Sequence, residues 1–475
     1  MAHDLVIVGG GPGGYATAFR AAAHGLDVGL VEEAEVGGTC LHRGCVPSKA
    51  LLHVAGVLEE VHRADVLGVQ LAYEGIDEEH LGAFRDGVVA KLHKGLHGLV
   101  EDRTTFYPGR GRLRPQEDGV VVEVTDGEGG ATTLSATHVV VATGSRPRGL
   151  SGVEVDGEVV QTSDQALLAA PPRRAVIVGA GAVGMEFASM WRPMGAEVTV
   201  VEALERVLPL EDPDVSQALA RAVRRRGIHV LTSARLEGIQ RDGAQARVEV
   251  AAGDDVQVLQ ADRVLVAVGR EPVTDEVGLA ELGVLDERGF VVVDEWGATA
   301  RPGVWAVGDI TSGPALAHAA FAEGFAVADR IAGIATAAPV DHAQTPRVTY
   351  TLPEVASVGL TEAEARARHG DDAVTVSSTG LHGNAKGIIS GSEGLVKLVR
   401  AVGPAPSGAV GDDGPVLGIH LVGPHATELI GEASLATSWE AVPAELAAIT
   451  HAHPTLYEAL GEAFLSAAGV PHHGR

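Results

Sequence analysis

Cysteine is nearly absent from this sequence: Cys40 and Cys45 are the only two among 475 residues. A disulfide-stapled scaffold is thereby excluded, two thiols alone cannot fill a four-ligand zinc site, and no metal is expected. Aromatic residues make up only 4%, so the core has to be built mainly from valine, leucine and alanine. Basic residues number 36 against 63 acidic ones, for a net charge of −27. That balance argues against nucleic acid as a partner and reads as a contribution to solubility. No window reaches the apolar length of a membrane span, about 18 residues or more. The N-terminus passes from MAHD straight into LVIVGGG, without the basic and apolar segments of a secretory signal. The expectation is a soluble cytoplasmic protein with no membrane association, in which any disulfide is transient and working.

Glycine, in contrast, is abundant, with 62 residues. Residues 5–8 form a short apolar run, followed by Gly9, Gly11 and Gly14 in the pattern G-x-G-x-x-G, an apolar helical stretch at 15–24, and a second apolar run at 28–31 that ends on Glu32. Strand, glycine turn, helix, strand and acid in that order predict a dinucleotide site. The glycines let the backbone approach a pyrophosphate, the helix N-terminus faces its charge, and the acid accepts from a ribose hydroxyl. The unit then recurs 170 residues later, with Gly179, Gly181, Gly184 and Glu202 matching Gly9, Gly11, Gly14 and Glu32. A repeated domain of this kind should hold two dinucleotides. Residues 139–147 (VVVATGSRP) and 264–272 (VLVAVGREP) also correspond, one apolar strand closing each half. The length suggests about three or four domains.

Both cysteines lie in residues 37–52, GGTCLHRGCVPSKALL. Five positions close too small a loop to act as a staple, so the pair reads as redox-active. The helical run after Pro47 would place it near a positive helix end that favours thiolate. This segment resembles the redox-active stretch of the flavin-dependent pyridine nucleotide-disulfide oxidoreductase family. The resemblance implies that Cys45 sits against the flavin, that Cys40 exchanges with the substrate disulfide, and that Lys49 lies beside the flavin and pairs with Glu186, whose plain alternative is a solvated helix charge. A dithiol so close to the first glycine turn assigns FAD to the first unit and the nicotinamide to the second. The implied FAD contacts are Gly9, Gly11, Gly14, Glu32, Gly38, Thr39, Lys49, Thr143, Gly144, Asp309 and Ala317. For NAD they are Gly179, Gly181, Gly184, Glu202 and Gly269. Asp309, in GVWAVGD, could instead simply cap the helix expected at 315–332.

From residue 344 the pattern turns β-rich, with a Gly/Pro/Ala-rich hairpin tip at 401–415 and helices at 427–440 and 443–449. Near the end, in HAHPTLYE, His453 and Glu458 stand five residues apart. Only a thiolate attacks a disulfide, so a histidine base with a carboxylate on its second nitrogen suits the chemistry. The family signature gives these roles to His453 and Glu458, reaching the dithiol of the other subunit of a homodimer; the residues alone do not separate His453 from His451. Tyr457 replaces a small polar residue common in the family.

The expected fold class is α/β: an FAD-binding domain at 1–150, an NAD-binding domain at 151–270, a central domain at 271–343 completing the FAD site, and a C-terminal α+β dimerisation domain at 344–475. Within the family the motifs most resemble the branch that oxidises dihydrolipoamide with NAD. Its implied partner is the lipoyl domain of an acyltransferase in a 2-oxoacid dehydrogenase or glycine cleavage complex. The alternatives are reduction of another small disulfide, such as mycothione or glutathione, and a flavin-bound structural component of a dehydrogenase complex.

Glu202 suits the free 2′-hydroxyl of NAD and repels the 2′-phosphate of NADP; the next three residues are not basic, leaving only Arg206 nearby. Turnover with NAD is therefore expected to exceed that with NADP at equal concentration, and equal rates would contradict the assignment.

Overall fold

The computed structural model describes residues 1–472 apart from Asp118, Asp254, Ser392 and residues 404–412. Most of the expected hairpin tip thus lies outside the described residues. The chain divides into two compact units, Met1–Leu51 with Asp77–Arg148 and Gly269–His342, and Leu52–Ile76 with Gly149–Val268 and Ala343–Arg475.

The first unit opens with β1 (Ala2–Val8), α1 (Pro12–Ala23), β2 (Val28–Glu32), α2 (Gly38–Arg43), α3 (Cys45–His62, which runs on into the second unit), α4 (Glu78–Arg103) and β3 (Thr105–Pro108). β4 (Arg110–Gln116), β5 (Gly119–Thr125) and β6 (Ala131–Val141) follow as an antiparallel meander. The second half of β6 turns into the parallel sheet, whose order is β3, β2, β1, β6 and the late strand Val304–Ala306. Side chains alternate along β1, and both of its faces are covered. Leu5 and Ile7 enter one core cluster, Val6 and Val8 the other, all at 3% exposure or less. Each such side chain contributes about 1.5–3 kcal/mol by leaving water.

The second unit repeats this plan. Its parallel sheet runs Ile228–Leu231, Glu197–Val201, Arg174–Val178, Arg263–Val266, Val160–Gln161, and a three-stranded antiparallel meander spans Ala234–Ala261. The two closing segments, at Ser145–Pro147 and Arg270–Pro272, pair antiparallel with each other within the first unit. The C-terminal stretch forms a five-stranded antiparallel sheet covered by helices Ala426–Ser438 and Glu458–Ala467 over a shared apolar core. The fold is α/β, with two Rossmann-like halves and a C-terminal α+β layer.

Two local expectations shift. The cysteine helix starts at Cys45 rather than after Pro47. Gly44, at φ −146 and ψ −113, ends α2, and a proline in a first helical turn gives up only an N–H that has no helical partner. The helix Ala317–Ile331 has no side-chain cap, so capping is not the role of Asp309.

Lys397, 2% exposed, holds the C-terminal sheet to the helix Pro213–Arg225 in the second unit. Its ammonium donates to Asp212, Asp214 and Glu362 at 2.9, 2.7 and 2.8 Å. Burial would lower its pKa, but the three carboxylates hold it above the usual range. The ammonium likewise holds Glu362 low, and Asp212 low against its own burial. Lys397→Met strands the buried Asp212 charge and should cost about 3–5 kcal/mol, read as a lowered melting temperature. Both carboxylates titrate lower folded than unfolded. Their stabilisation is complete above about pH 4–5 and is lost as pH falls through the lower folded values. The gap between wild type and variant should accordingly close in acid.

Candidate active site

Each glycine turn is built by close backbone approach. Gly9, at φ +106, leaves no room for a side chain, since a Cβ would stand 2.4 Å from the Ala142 carbonyl oxygen; on Gly14 it would stand 1.8 Å from the Gly9 carbonyl oxygen. Glu32 braces the turn. One carboxylate oxygen accepts the Gly10 N–H at 2.6 Å, the other the Ala34 N–H at 2.8 Å. The Gly10 carbonyl in turn accepts the Gly37 N–H at 2.8 Å, so the entry to α2 is fastened to the turn. Gly38 has its Cα against that of Gly11, and a side chain there would collide at 2.8 Å. A cavity of about 400 Å³ opens beside this turn, lined by Gly9, Glu32, Gly109, Arg110, Thr143 and Glu276 among others. The cradle fits a dinucleotide: its floor is bare backbone, and Glu32 stands at its rim.

The second turn is the same object. Gly179 (φ +105) would clash with the Ala267 carbonyl oxygen at 2.3 Å and Gly184 with the Gly179 carbonyl oxygen at 2.0 Å, whereas nothing lies within 4 Å of a Cβ on Gly181. Glu202, buried, accepts the Ala180 N–H at 2.6 Å and the Leu204 N–H at 2.9 Å. The nearby Arg206 donates to the Pro209 carbonyl at 3.1 Å. Open space over Gly181 beside a braced carboxylate likewise fits a nucleotide. Gly269 belongs to the first unit, where its carbonyl accepts the Arg148 N–H.

Cys40 lies on α2 with Thr39, and Cys45 opens α3, Gly44 between them turning the chain so that the two thiols hydrogen-bond. That bond first, and burial second, push the Cys40 thiol up, while the charge of Lys49, one turn along α3, works the other way. Sequence reasoning passed over Tyr15, which stands next to Gly14. Burial and the charges of Cys40 and Cys45 push its hydroxyl up to about 12, so it faces the dithiol as a neutral group.

Asp309 accepts from the Ser145 hydroxyl at 2.5 Å, and Arg270 donates to both the hydroxyl and the carbonyl of Ser145 at 2.6 Å. Beside them Thr143 donates to the Val273 carbonyl at 2.6 Å, and Gly144 (φ +70) accepts from the Val273 N–H. Burial, together with the charge of Asp309, raises Glu323 to about 7, even though Glu323 accepts the Gly308 N–H at 2.6 Å. Ala317 is the first residue of the helix that carries Glu323. Ser145 and Arg270 lie in the two corresponding closing segments and Glu323 in no motif; their link to Asp309 is what the sequence does not reveal. In the second unit Glu186 is buried, not solvated, and accepts the Tyr350 N–H at 3.0 Å.

The two histidines that the residues alone left equal are separated by their surroundings. His451 is buried. Nδ1 meets the Ile449 carbonyl at 3.0 Å, Nε2 the Glu432 carboxylate at 3.3 Å, and its ring lies 4.3 Å from that of Tyr457. Tyr457 thus serves as a wall for His451. His453, with a side chain 76% exposed, has Nδ1 at 2.8 Å from Glu458, and Glu458 is itself held by the Thr455 N–H at 2.8 Å. The outward nitrogen of His453 can take a proton.

The chain matches the pyridine nucleotide-disulphide oxidoreductase family over residues 3–324, and the dimerisation domain of that family over residues 345–464. It is 37% identical to the dihydrolipoyl dehydrogenase of Bacillus subtilis, covering 99% of both chains. With that of Thermus scotoductus it shares 40%, covering 97% of this chain and 96% of the relative. Among solved structures it resembles LpdA from Mycobacterium tuberculosis, with a TM-score of 0.87 at 28% identity over 97% of this chain and 99% of the other. With paired glycine cradles, a dithiol fastened to the first of them and full-length similarity to these relatives, the chain belongs to the pyridine nucleotide-disulphide oxidoreductase family.

Proposed function

We propose that the protein is a dihydrolipoyl dehydrogenase, oxidising lipoyl-bound dithiol to disulfide with NAD as final acceptor. The observation that carries this reading is the Cys40 and Cys45 pair beside Lys49, on helices tied to the first glycine turn, in a chain similar to dihydrolipoyl dehydrogenases along its whole length. Gly9, Gly11, Gly14, Glu32, Gly38, Thr39, Lys49, Thr143, Gly144, Asp309 and Ala317 would hold FAD. Gly179, Gly181, Gly184, Glu202 and Gly269 would hold NAD. The corresponding domains are 1–150, 151–270, 271–343 and 344–475. The chemistry that bound FAD would supply is acceptance of the electron pair from the dithiol and its passage to NAD as hydride.

His453, oriented by Glu458, removes a proton from one substrate thiol. The thiolate attacks the sulfur of Cys40 and breaks its bond to Cys45, which leaves as thiolate. The second substrate thiol then displaces Cys40 and its proton passes to the departing Cys40 sulfur, so that lipoamide departs oxidised and the cysteine pair, as the Cys40 thiol and the Cys45 thiolate, holds two electrons. Lys49 would offset the negative charge this leaves. The dimerisation-domain match supports a homodimer, in which His453 serves the dithiol of the partner subunit. The lipoyl domain of an acyltransferase is the proposed partner. The cytoplasm, where a disulfide is not locked in place, is the proposed location.

Lipoamide turnover should vanish in Cys40→Ser while bound flavin is retained, and His453→Gln should lower kcat about 100- to 10,000-fold. A higher kcat/KM for mycothione or glutathione disulfide than for lipoamide would move the assignment to those substrates. Cellular function surviving in Cys40→Ser without turnover would make the chain a structural component.

A further inference from the structure

One cluster in the first unit takes no part in this chemistry. Glu35 follows β2, His42 lies on α2 between the two cysteines, and His93 lies on α4. A ligand atom from each stands within 4.8 Å of the other two. His42 Nε2 is 2.9 Å from the Val36 carbonyl, to which it can only donate. That leaves the lone pair of a neutral His42 on Nδ1, which is 3.2 Å from the Glu35 carboxylate. Two acceptors face one another there and repel unless a cation stands between them. From the α4 side, His93 Nε2 is buried without a hydrogen-bond partner among the described residues, and its ring meets that of His42 edge-on at 5.0 Å. An internal ion pair would satisfy His42 and Glu35 but leave His93 unsatisfied; a metal ion satisfies all three.

Two imidazoles and a carboxylate, with a fourth position left to water, form the donor set of an open zinc site. A carbonyl on the far nitrogen of His42 is the usual orienting partner of a ligating histidine. Imidazole ligands favour zinc, copper and nickel over magnesium and calcium. Bonds of about 2.0–2.2 Å place tetrahedral ligands about 3.3–3.5 Å apart, so the longer separations, all within 4.8 Å, must close while the 3.2 Å approach of His42 to Glu35 opens slightly. Glu35, with a side chain 63% exposed, can supply the movement. The neighbouring His97 is engaged with Glu101 at 3.5 Å and lies outside the set. We propose that Glu35, His42 and His93 bind a divalent transition-metal ion, zinc in the first place, which clamps the cysteine-bearing α2 to α4.

The test is calorimetric titration of zinc chloride into tag-free oxidised holoenzyme, whose closed Cys40–Cys45 disulfide keeps sulfur out of the ligand set. The expected result is one zinc per chain at micromolar affinity. His93→Ala should weaken binding more than about 100-fold, and the exposed Glu35→Gln about tenfold or more, with flavin content unchanged in both. Magnesium should give no binding heat. Absence of zinc binding at micromolar concentration, equal affinity in wild type and both variants, or equal binding of magnesium would overturn the proposal.

Discussion

The peptide unit at Gly10 is the joint on which the first unit depends. Its N–H is taken by Glu32 at the end of β2, and its carbonyl takes the Gly37 N–H at the entrance to α2. Through one residue, the strand that supplies the acid, the turn that can cradle a pyrophosphate and the helix that carries Cys40 are held in register. A buried or half-buried backbone group left unbonded costs stability, so both bonds resist loss. The carboxylate of Glu32 has a structural duty before any ligand is considered, and Glu202 carries the same duty in the second unit. Accepting two backbone N–H groups still leaves lone pairs for a ribose hydroxyl, which is how one residue can be both brace and recognition element.

The chemistry gathers where helices begin. Cys45 is the first residue of α3, Lys49 lies one turn on, and Tyr15 belongs to α1 just past the glycine turn. Thiols sharing a hydrogen bond do not ionise independently, and that bond, with burial, pushes the Cys40 thiol up. At the far end of the sequence the division of labour between histidines comes from packing. His451 is walled in by Tyr457 with both ring nitrogens committed, while His453 has one nitrogen on Glu458 and the other turned outward.

The parts legible in the sequence were those whose cause is local. A residue forced to φ near +105 by a turn under a neighbouring strand has to be glycine, and the repeat of Gly9, Gly11, Gly14 and Glu32 at a fixed offset encodes two like halves. The apolar strand runs and the family signature around Cys40 were legible for similar reasons. What escaped were pairings between residues far apart in the chain. Ser145 with Asp309, Glu323 with the Gly308 peptide beside Asp309, and Glu35 and His42 with His93 leave no periodicity to read. The early start of α3 escaped because Pro47 looks like a boundary, whereas Gly44 is the residue that breaks the chain. The alternative role of Asp309 as a helix cap gives way to its acceptance of the Ser145 hydroxyl.

The chain quits the first unit at Arg148 and re-enters it at Gly269, and these two residues are joined by a backbone hydrogen bond between neighbouring strands. To the first unit, everything from 149 to 268 is a single excursion whose ends are already pinned together. The entropy of closing such an excursion grows only with the logarithm of its length. A complete nucleotide-binding module in place of a short turn therefore costs the host sheet only about 3 kcal/mol more in closure entropy, and the ribbon formed by Ser145–Pro147 and Arg270–Pro272 is a seam at which a domain can be spliced in with a modest loss to the fold that receives it.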